Sequence, residues 1–265
     1  MKQLSPLLLL FILCLISCSK DYEGDDTNPS PLNTEACLLT GFRYDNSDYS
    51  YKFIYDAKGQ PIKEEVINAK GEVEGYYLFE YDDQDRLVKT NTHTPAGTLG
   101  GYLTYSYNST GQVSKVSHYS KSYGVLTEFL SRHYEYTSNN QLKKSYKTTP
   151  GKTYGYTLYE YEGNLIRRSI NYSDTGQKGN TYEYEYDNKH SFLGVSAAVR
   201  AMHMTYYPFI HNLTKVTRRG VDGQVIAEGS GTSRYEYNEA GYPTKVTHKD
   251  VDGNEWGSYF NYSCQ

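Results

Sequence analysis

A short phrase, Tyr followed by Asp or a near substitute, recurs along this chain at Tyr55-Asp56, Tyr81-Asp82, Tyr107-Asn108, Tyr136-Thr137, Tyr161-Glu162, Tyr186-Asp187, Tyr237-Asn238 and Tyr262-Ser263. The spacings are 26, 26, 29, 25, 25, 51 and 25 residues. A fixed period of this size means a repeat architecture, in which one supersecondary unit stacks on the next. Four residues after the Tyr stands Gly59, Asp85, Gly111, Asn140 or Gly241, all residue types that tolerate a left-handed backbone, so the phrase opens a hairpin turn. Eight residues after it stands Lys63, Lys89, Lys115, Lys144 or Lys245, with Arg167 two residues early behind a shortened turn at Gly163. A second glycine follows at Gly71, Gly97, Gly124, Gly151, Gly176, Gly223 or Gly253. Each unit is therefore two strands and two turns.

Between turns the side chains alternate with period two: Tyr77, Phe79 and Tyr81 against Leu78 and Glu80, or Tyr182, Tyr184 and Tyr186 against Glu183 and Glu185. This is the signature of strands with one aromatic face and one charged face. In a simple hairpin Tyr55 would sit opposite Gln60, Phe53 opposite Ile62, and Glu80 opposite Leu87 with Lys89 diagonal to it. A single β-bulge would exchange the faces of the later residues. The fold class is all-β: an antiparallel up-and-down meander of about sixteen short strands over residues 36–265, curled into a closed or nearly closed soluble barrel because an open sheet that wide exposes two edges. Thirty-one of the 265 residues are Tyr, which suits a lumen too wide for aliphatic side chains to fill, since Tyr is long, rigid and carries a hydroxyl. Embedding in lipid is not expected, because the strands are short and Glu and Lys would face acyl chains.

The pattern Tyr-x-Tyr-Asp-x-x-Gly, then an aliphatic and a Lys or Arg, resembles the YD repeats of Rhs-type proteins. More specifically it resembles the Tyr-rich repeat lipoproteins of Bacteroidota, a group of unknown function described as having a porin-like barrel. The resemblance covers residues 51–262. It implies a barrel and a cell-envelope location and brings no catalytic residues; the great length and toxin domain of Rhs proteins are missing.

At the amino end Lys2 precedes an apolar stretch from Leu7 to Ile16, of a length suited to secretion and too short for a permanent span. Leu15-Ile16-Ser17-Cys18 resembles a lipoprotein lipobox, which implies removal of residues 1–17 and lipid on Cys18. Residues 18–35 then read as an acylated Cys on a flexible acidic tether. The expected attachment is to the membrane through the lipid alone, in the outer membrane and at the cell surface, or else facing the periplasm. Processing removes Lys2, leaving a net charge of about −5 against −4 for the whole chain, so no nucleic-acid partner is implied. Two thiols remain, Cys37 and Cys264. In a closed barrel of even strand number the start of the first strand lies beside the end of the last, so these two are candidates for a disulfide that seals the closure; the competing arrangement is two unpaired thiols at frayed termini.

The repeat breaks once. From Tyr186 to Lys215 the usual eight-residue step becomes 29, which places an insertion at residues 188–211 in one turn. Phe192, Val195, Val199 and Met202 recur at helical spacing, with Ser191 as a cap and Pro208 beyond the end. The stripe is expected to pack as a plug or lid against the sheet. The alternative is a binding loop presenting His203, Tyr206 and Tyr207. Trp256, beside Gly253 and Gly257, is either a sugar-stacking platform or rim packing. His93, His118 and His248 are scattered over different repeats without metal-ligand spacing, so no cofactor or metal is implied. No nucleophile elbow or phosphate-binding loop occurs. Two functional classes follow: a non-enzymatic envelope lipoprotein acting as a binding or scaffold module for glycan, peptide or an envelope protein, and alternatively a hydrolase acting on envelope polysaccharide. The second would need two carboxylates about 5–9.5 Å apart in a cleft.

Overall fold

The computed structural model describes residues 37–122, 124–202 and 210–264; the signal, the lipidation site Cys18, the tether and the candidates His203, Tyr206 and Tyr207 lie outside the described residues. Sixteen strands follow in chain order: β1 Leu38–Tyr44, β2 Ser50–Tyr55, β3 Pro61–Ile67, β4 Val73–Tyr81, β5 Leu87–His93, β6 Leu99–Tyr107, β7 Val113–Ser122 and β8 Val125–Tyr136 form the first half. The second half is β9 Leu142–Thr149, β10 Lys152–Glu162, β11 Leu165–Tyr172, β12 Lys178–Tyr186, β13 Leu213–Arg219, β14 Val225–Tyr237, β15 Pro243–Asp250 and β16 Glu255–Ser263. Each strand pairs antiparallel with its neighbours in sequence, and β1 pairs antiparallel with β16, so the sheet closes into a barrel without edges. Cys37 and Cys264 are joined in a disulfide at this seam, across a sequence separation of 227 residues; the chain-entropy model assigns such a loop on the order of 5 kcal/mol.

The Tyr-Asp phrase builds one turn over and over. In the turn after β4, Asp82 Oδ1 accepts from the amides of Gln84 and Arg86 at 3.0 and 2.9 Å, and Asp85 N donates to the Asp82 carbonyl at 3.0 Å. Asn108 repeats the arrangement with Thr110 and Gln112. The fourth residue after the Tyr takes positive φ in the regular turns, 78° at Gly59, 58° at Asp85 and 62° at Asn140, and in the shortened turn Gly163 does so at 58°. That left-handed step is why the position is Gly, Asn or Asp.

A bulge follows each of these turns, and it overturns the simple-hairpin register. Tyr55 pairs with Pro61 and Ile54 with Lys63, so Ile62 is the extra residue; the same shift sets Tyr81 opposite Leu87 and Tyr107 opposite Val113. Phe53 therefore faces Glu64 and not Ile62, and Glu80 faces Lys89 directly and not Leu87. The cation that follows the shortened turn is likewise Arg168, which pairs with Glu160, while Arg167 is the bulged residue.

At Tyr81, Tyr107, Tyr136 and Tyr186 the hydroxyl of the last Tyr in Tyr-x-Tyr reaches back to the bulge of the preceding hairpin, whereas Tyr237 donates to the Asp187 carboxylate. Tyr81 donates to the Pro61 carbonyl at 2.7 Å, Tyr107 to Leu87 at 2.7 Å, Tyr136 to Val113 at 2.8 Å and Tyr186 to Ile166 at 2.6 Å. Bulges disrupt the ladder locally, and these hydroxyls tie each one to the next repeat. Burial raises the pKa of the whole set, so they remain neutral donors. The earlier Tyr of the phrase bonds a hydroxyl on the neighbouring strand: Thr90 to Tyr105 at 3.1 Å, Ser145 to Tyr159 at 2.9 Å, Ser169 to Tyr184 at 2.7 Å.

The insertion after β12 keeps the turn chemistry at its base, where Asp187 Oδ1 accepts from the amides of Lys189 and Asn212. Its helical content differs from the single helix expected from Ser191. Ser191 accepts from Leu193 N at 3.3 Å and starts only a 3-10 turn, Phe192–Gly194; Ser196 accepts from Val199 N at 3.1 Å and starts the helix α1, Ala197–Met202. Ala198 and Val199 are fully buried among Phe42, Phe53, Phe79 and Phe260, and Phe192 stacks on Phe260 at 4.5 Å. The apolar stripe thus plugs the lumen at the Tyr-Asp end.

Candidate functional site

Outside the barrel, charge is paired. Glu80 meets Lys89, Glu135 meets Lys144, Glu160 meets Arg168, Glu185 meets Lys215 and Glu236 meets Lys245, at 2.8 to 3.8 Å. These exposed pairs contribute at most about 1 kcal/mol each. They sit on the outer face beside the Tyr-Asp turns, each Glu one residue before the Tyr of the phrase and opposite its cation across the hairpin. The outer face is more aromatic than its alternation implies. Stacked pairs Tyr76/His93, Tyr102/Tyr119, His133/Tyr146 and Tyr156/Tyr172 lie at 4.5 to 5.0 Å, with Lys89 over Tyr102 and Lys144 between Tyr146 and Tyr156. The ring faces are spent on each other and on lysines, which makes the row part of the wall.

Inside, one stretch breaks the pairing rule. Arg132 on β8 and Lys147 on β9 are cross-strand partners. They share the face of Tyr134 and Ser145, which pair on the lumenal side. Like charges directly opposite destabilise a ladder. The next ladder is interrupted as well: Thr148 pairs with Thr153 and Tyr146 with Tyr156, so Tyr154 and Gly155 bulge opposite Lys147. Gly155 is required there, because a Cβ would lie 2.0 Å from the Tyr172 carbonyl oxygen.

A cavity of about 560 Å³ opens at this place, within the usual size range of small-ligand sites. Its polar lining comprises Arg132, Lys147, Ser145, Thr149, Thr157 and Asn171, and it contains no Asp or Glu. The local field is positive. Burial first, then Arg132, lower the pKa of Lys147; burial, then Arg132 and Lys147, push His118 on β7 down to about 4. His118 is 6% exposed and its Nε2 has no hydrogen-bond partner among the described residues. Thr157 Oγ1 donates to Asn171 Oδ1 at 2.9 Å, and both residues line the cavity.

Glu64 on β3 is the opposite case. It is fully buried, neither carboxyl oxygen has a partner among the described residues, and burial raises its pKa to about 8. Trp256 lies on the strand face of Ser258 and Phe260, is 40% exposed, and stacks on His248 at 5.6 Å; His248 Nδ1 shares a hydrogen bond with Ser233 Oγ at 2.8 Å. The three strand histidines are not brought together: His93 stacks on Tyr76 outside while His118 is buried. No group of three or more potential metal ligands occurs among the described residues. Arg132, Lys147 and Glu64 are not distinguishable as site residues until the bulges are placed.

No family model matches the chain, and no curated protein does. Among solved structures, the chain is similar to a porin-like protein from Bacteroides uniformis, with 16% identity, 90% of this chain and 100% of that chain covered, and a TM-score of 0.55. A second porin-like protein, from Bacteroides vulgatus, is 12% identical over 86% of this chain and 99% of that one, with a TM-score of 0.40. The Photorhabdus luminescens Tc holotoxin pore is 11% identical over 82% of this chain and 12% of that one, with a TM-score of 0.33. The first of these shares the closed-barrel fold.

Proposed function

We propose that this chain is a lipid-anchored module of the bacterial cell envelope that binds a ligand in the unplugged part of its lumen, between β8 and β11. The observation that carries this reading is the polar, acid-free cavity of about 560 Å³ at the bulge between β9 and β10. Its lining has donors and acceptors on rigid strands, which suits recognition. It has no carboxylate, whereas a polysaccharide hydrolase works with two. The lipobox-like Leu15-Ile16-Ser17-Cys18 and the acidic tether support attachment outside the cytoplasm, and the paired outer wall supports a barrel held at the membrane and not within it.

Two measurements test the reading. In cells, Cys18→Ala is expected to move the protein from the detergent phase to the aqueous phase; unchanged partition refutes lipidation at this position. For the site, the purified protein is titrated with envelope polysaccharide fractions and peptides, alongside Thr157→Trp, which fills the cavity. Binding lost in the variant with an unchanged circular dichroism spectrum is the expected result. Binding that survives the filling places the ligand elsewhere.

A further inference from the structure

We propose that the lumenal cavity takes a saccharide, with the exposed ring of Tyr154 as its stacking platform and Phe129 as a second one on the neighbouring hairpin; this rests on the lumen being the binding site. The geometry begins with the bulges at the end of the barrel opposite the Tyr-Asp turns. There the bulge holds Glu74 in β4, Gly100 in β6, Gly179 and Asn180 in β12 and residues 227–230 in β14, while β16 has none. In β8 the extra residue is Phe129, and in β10 Tyr154 bulges with Gly155. These two strands flank β9. An aromatic therefore stands at this bulge only on the two strands on either side of β9, where the cavity lies. A bulge re-aims a side chain, and both rings are set in water, with Phe129 48% and Tyr154 42% exposed.

Tyr154 lines the cavity together with Ser145, Thr149, Thr157 and Asn171. Of the other tyrosines there, Tyr134 is buried, Tyr146 stacks on His133, and Tyr156 and Tyr172 stack on each other. Tyr154 makes a single ring contact among the described residues, with Lys152 Nζ at 4.8 Å, so one face of its ring stays open to a ligand. Phe129 precedes the cavity-lining Leu130 and meets His118 edge-on at 6.0 Å. His118 lies two residues from the core residue Val116, on the same inner face, which puts Phe129 at the lumen too. Hydroxyls and an amide around an open aromatic face match a sugar ring, whose C–H face is apolar and whose rim is hydroxylated. A peptide is served less well, because the closed sheet gives an extended chain no edge to join.

Glycan arrays and isothermal titration of the purified full chain test this with defined oligosaccharides of glucose, mannose, galactose, xylose and N-acetylglucosamine, and with short synthetic peptides as a separate arm. The expected result is that at least one oligosaccharide binds and that Thr157→Trp abolishes the binding. Tyr154→Ala should weaken it by about tenfold and Phe129→Ala by about threefold, while Tyr154→Phe, which keeps the ring, stays within about twofold of wild type. Both rings are exposed, so these variants should keep the circular dichroism spectrum of wild type. Saccharide binding that Thr157→Trp abolishes and Tyr154→Ala leaves unchanged overturns the inference, as does peptide binding that Thr157→Trp abolishes with no saccharide bound; in both cases the lumen reading stands. Saccharide binding that survives Thr157→Trp refutes the lumen reading and the inference with it. Failure of every oligosaccharide to bind also overturns the inference.

Discussion

Glu64 and Lys147 lie on the same inner wall, two steps apart in the register of the repeat, and solve opposite problems. Glu64 occupies the position of Thr90, Ser145 and Ser169, each of which shares a hydrogen bond with the Tyr hydroxyl of the next strand. In the Glu64 repeat that next-strand position is Phe79, which has no hydroxyl. The carboxyl therefore faces Tyr44, Tyr51, Tyr55 and Tyr77 without a hydrogen-bond partner among the described residues, and burial holds it protonated up to about pH 8. Lys147, by contrast, is exposed to the cavity and keeps its charge beside another cation. A charge in a barrel wall can be extinguished by burial or kept wet for a counter-ion. The difference between these two lies in whether the local packing leaves room for water.

The comparison is sharpest in its pH dependence. The folded-state pKa of Glu64 lies above its ordinary value, so between about 4.5 and 8 the folded state binds more protons than the unfolded one, and stability falls as pH rises through that window. The swing has an upper bound of about 5 kcal/mol. Urea melts at pH 5 and pH 8 should show it, and Glu64→Gln should flatten it; an unchanged slope in the variant would place the pH sensitivity elsewhere. Restoring the missing hydroxyl is the next largest effect. Phe79→Tyr should stabilise the protein at pH 8 by about 1.5–3 kcal/mol, the range for a hydrogen bond to a charged group, and by less at pH 5.

A control on the tyrosine ring lies away from both charges. Tyr107→Phe removes the bond to the Leu87 carbonyl, and denaturant melts should record a loss of about 1 kcal/mol with no change in pH dependence. The smallest effect is at the cavity. In the absence of ligand, Lys147→Met should raise stability by about 0.2–1 kcal/mol by relieving the opposition to Arg132. A decrease would mean that the pair is already compensated.

How much of this was legible beforehand differs by level. Period, turn residues and Tyr alternation identify about sixteen strands in a closed or nearly closed sheet, because each signal is written within a dozen neighbouring residues, and the structure has sixteen strands in a closed one. The left-handed positions Gly59, Asp85 and Asn140 follow from the turn chemistry alone. The plugging stripe of Phe192 and Val199 also shows in the spacing, although the chain splits it into a 3-10 turn and a short helix because Ser196 caps later than Ser191.

What only the tertiary structure decided is which wall each charge faces. One bulge per hairpin shifts the second strand by a residue, and with a side-chain period of two, a shift of one sends every later residue to the other face. That shift turns Glu80 and Lys89 into a direct pair, hides Glu64 behind Phe79, and brings Arg132 and Lys147 into the lumen. The amino-acid sequence by itself determined the repeat and the turns, since these are local, while closure rests on the pairing of β1 with β16 at opposite ends of the chain. The candidate site arises from register between strands, which the turn's bulge sets.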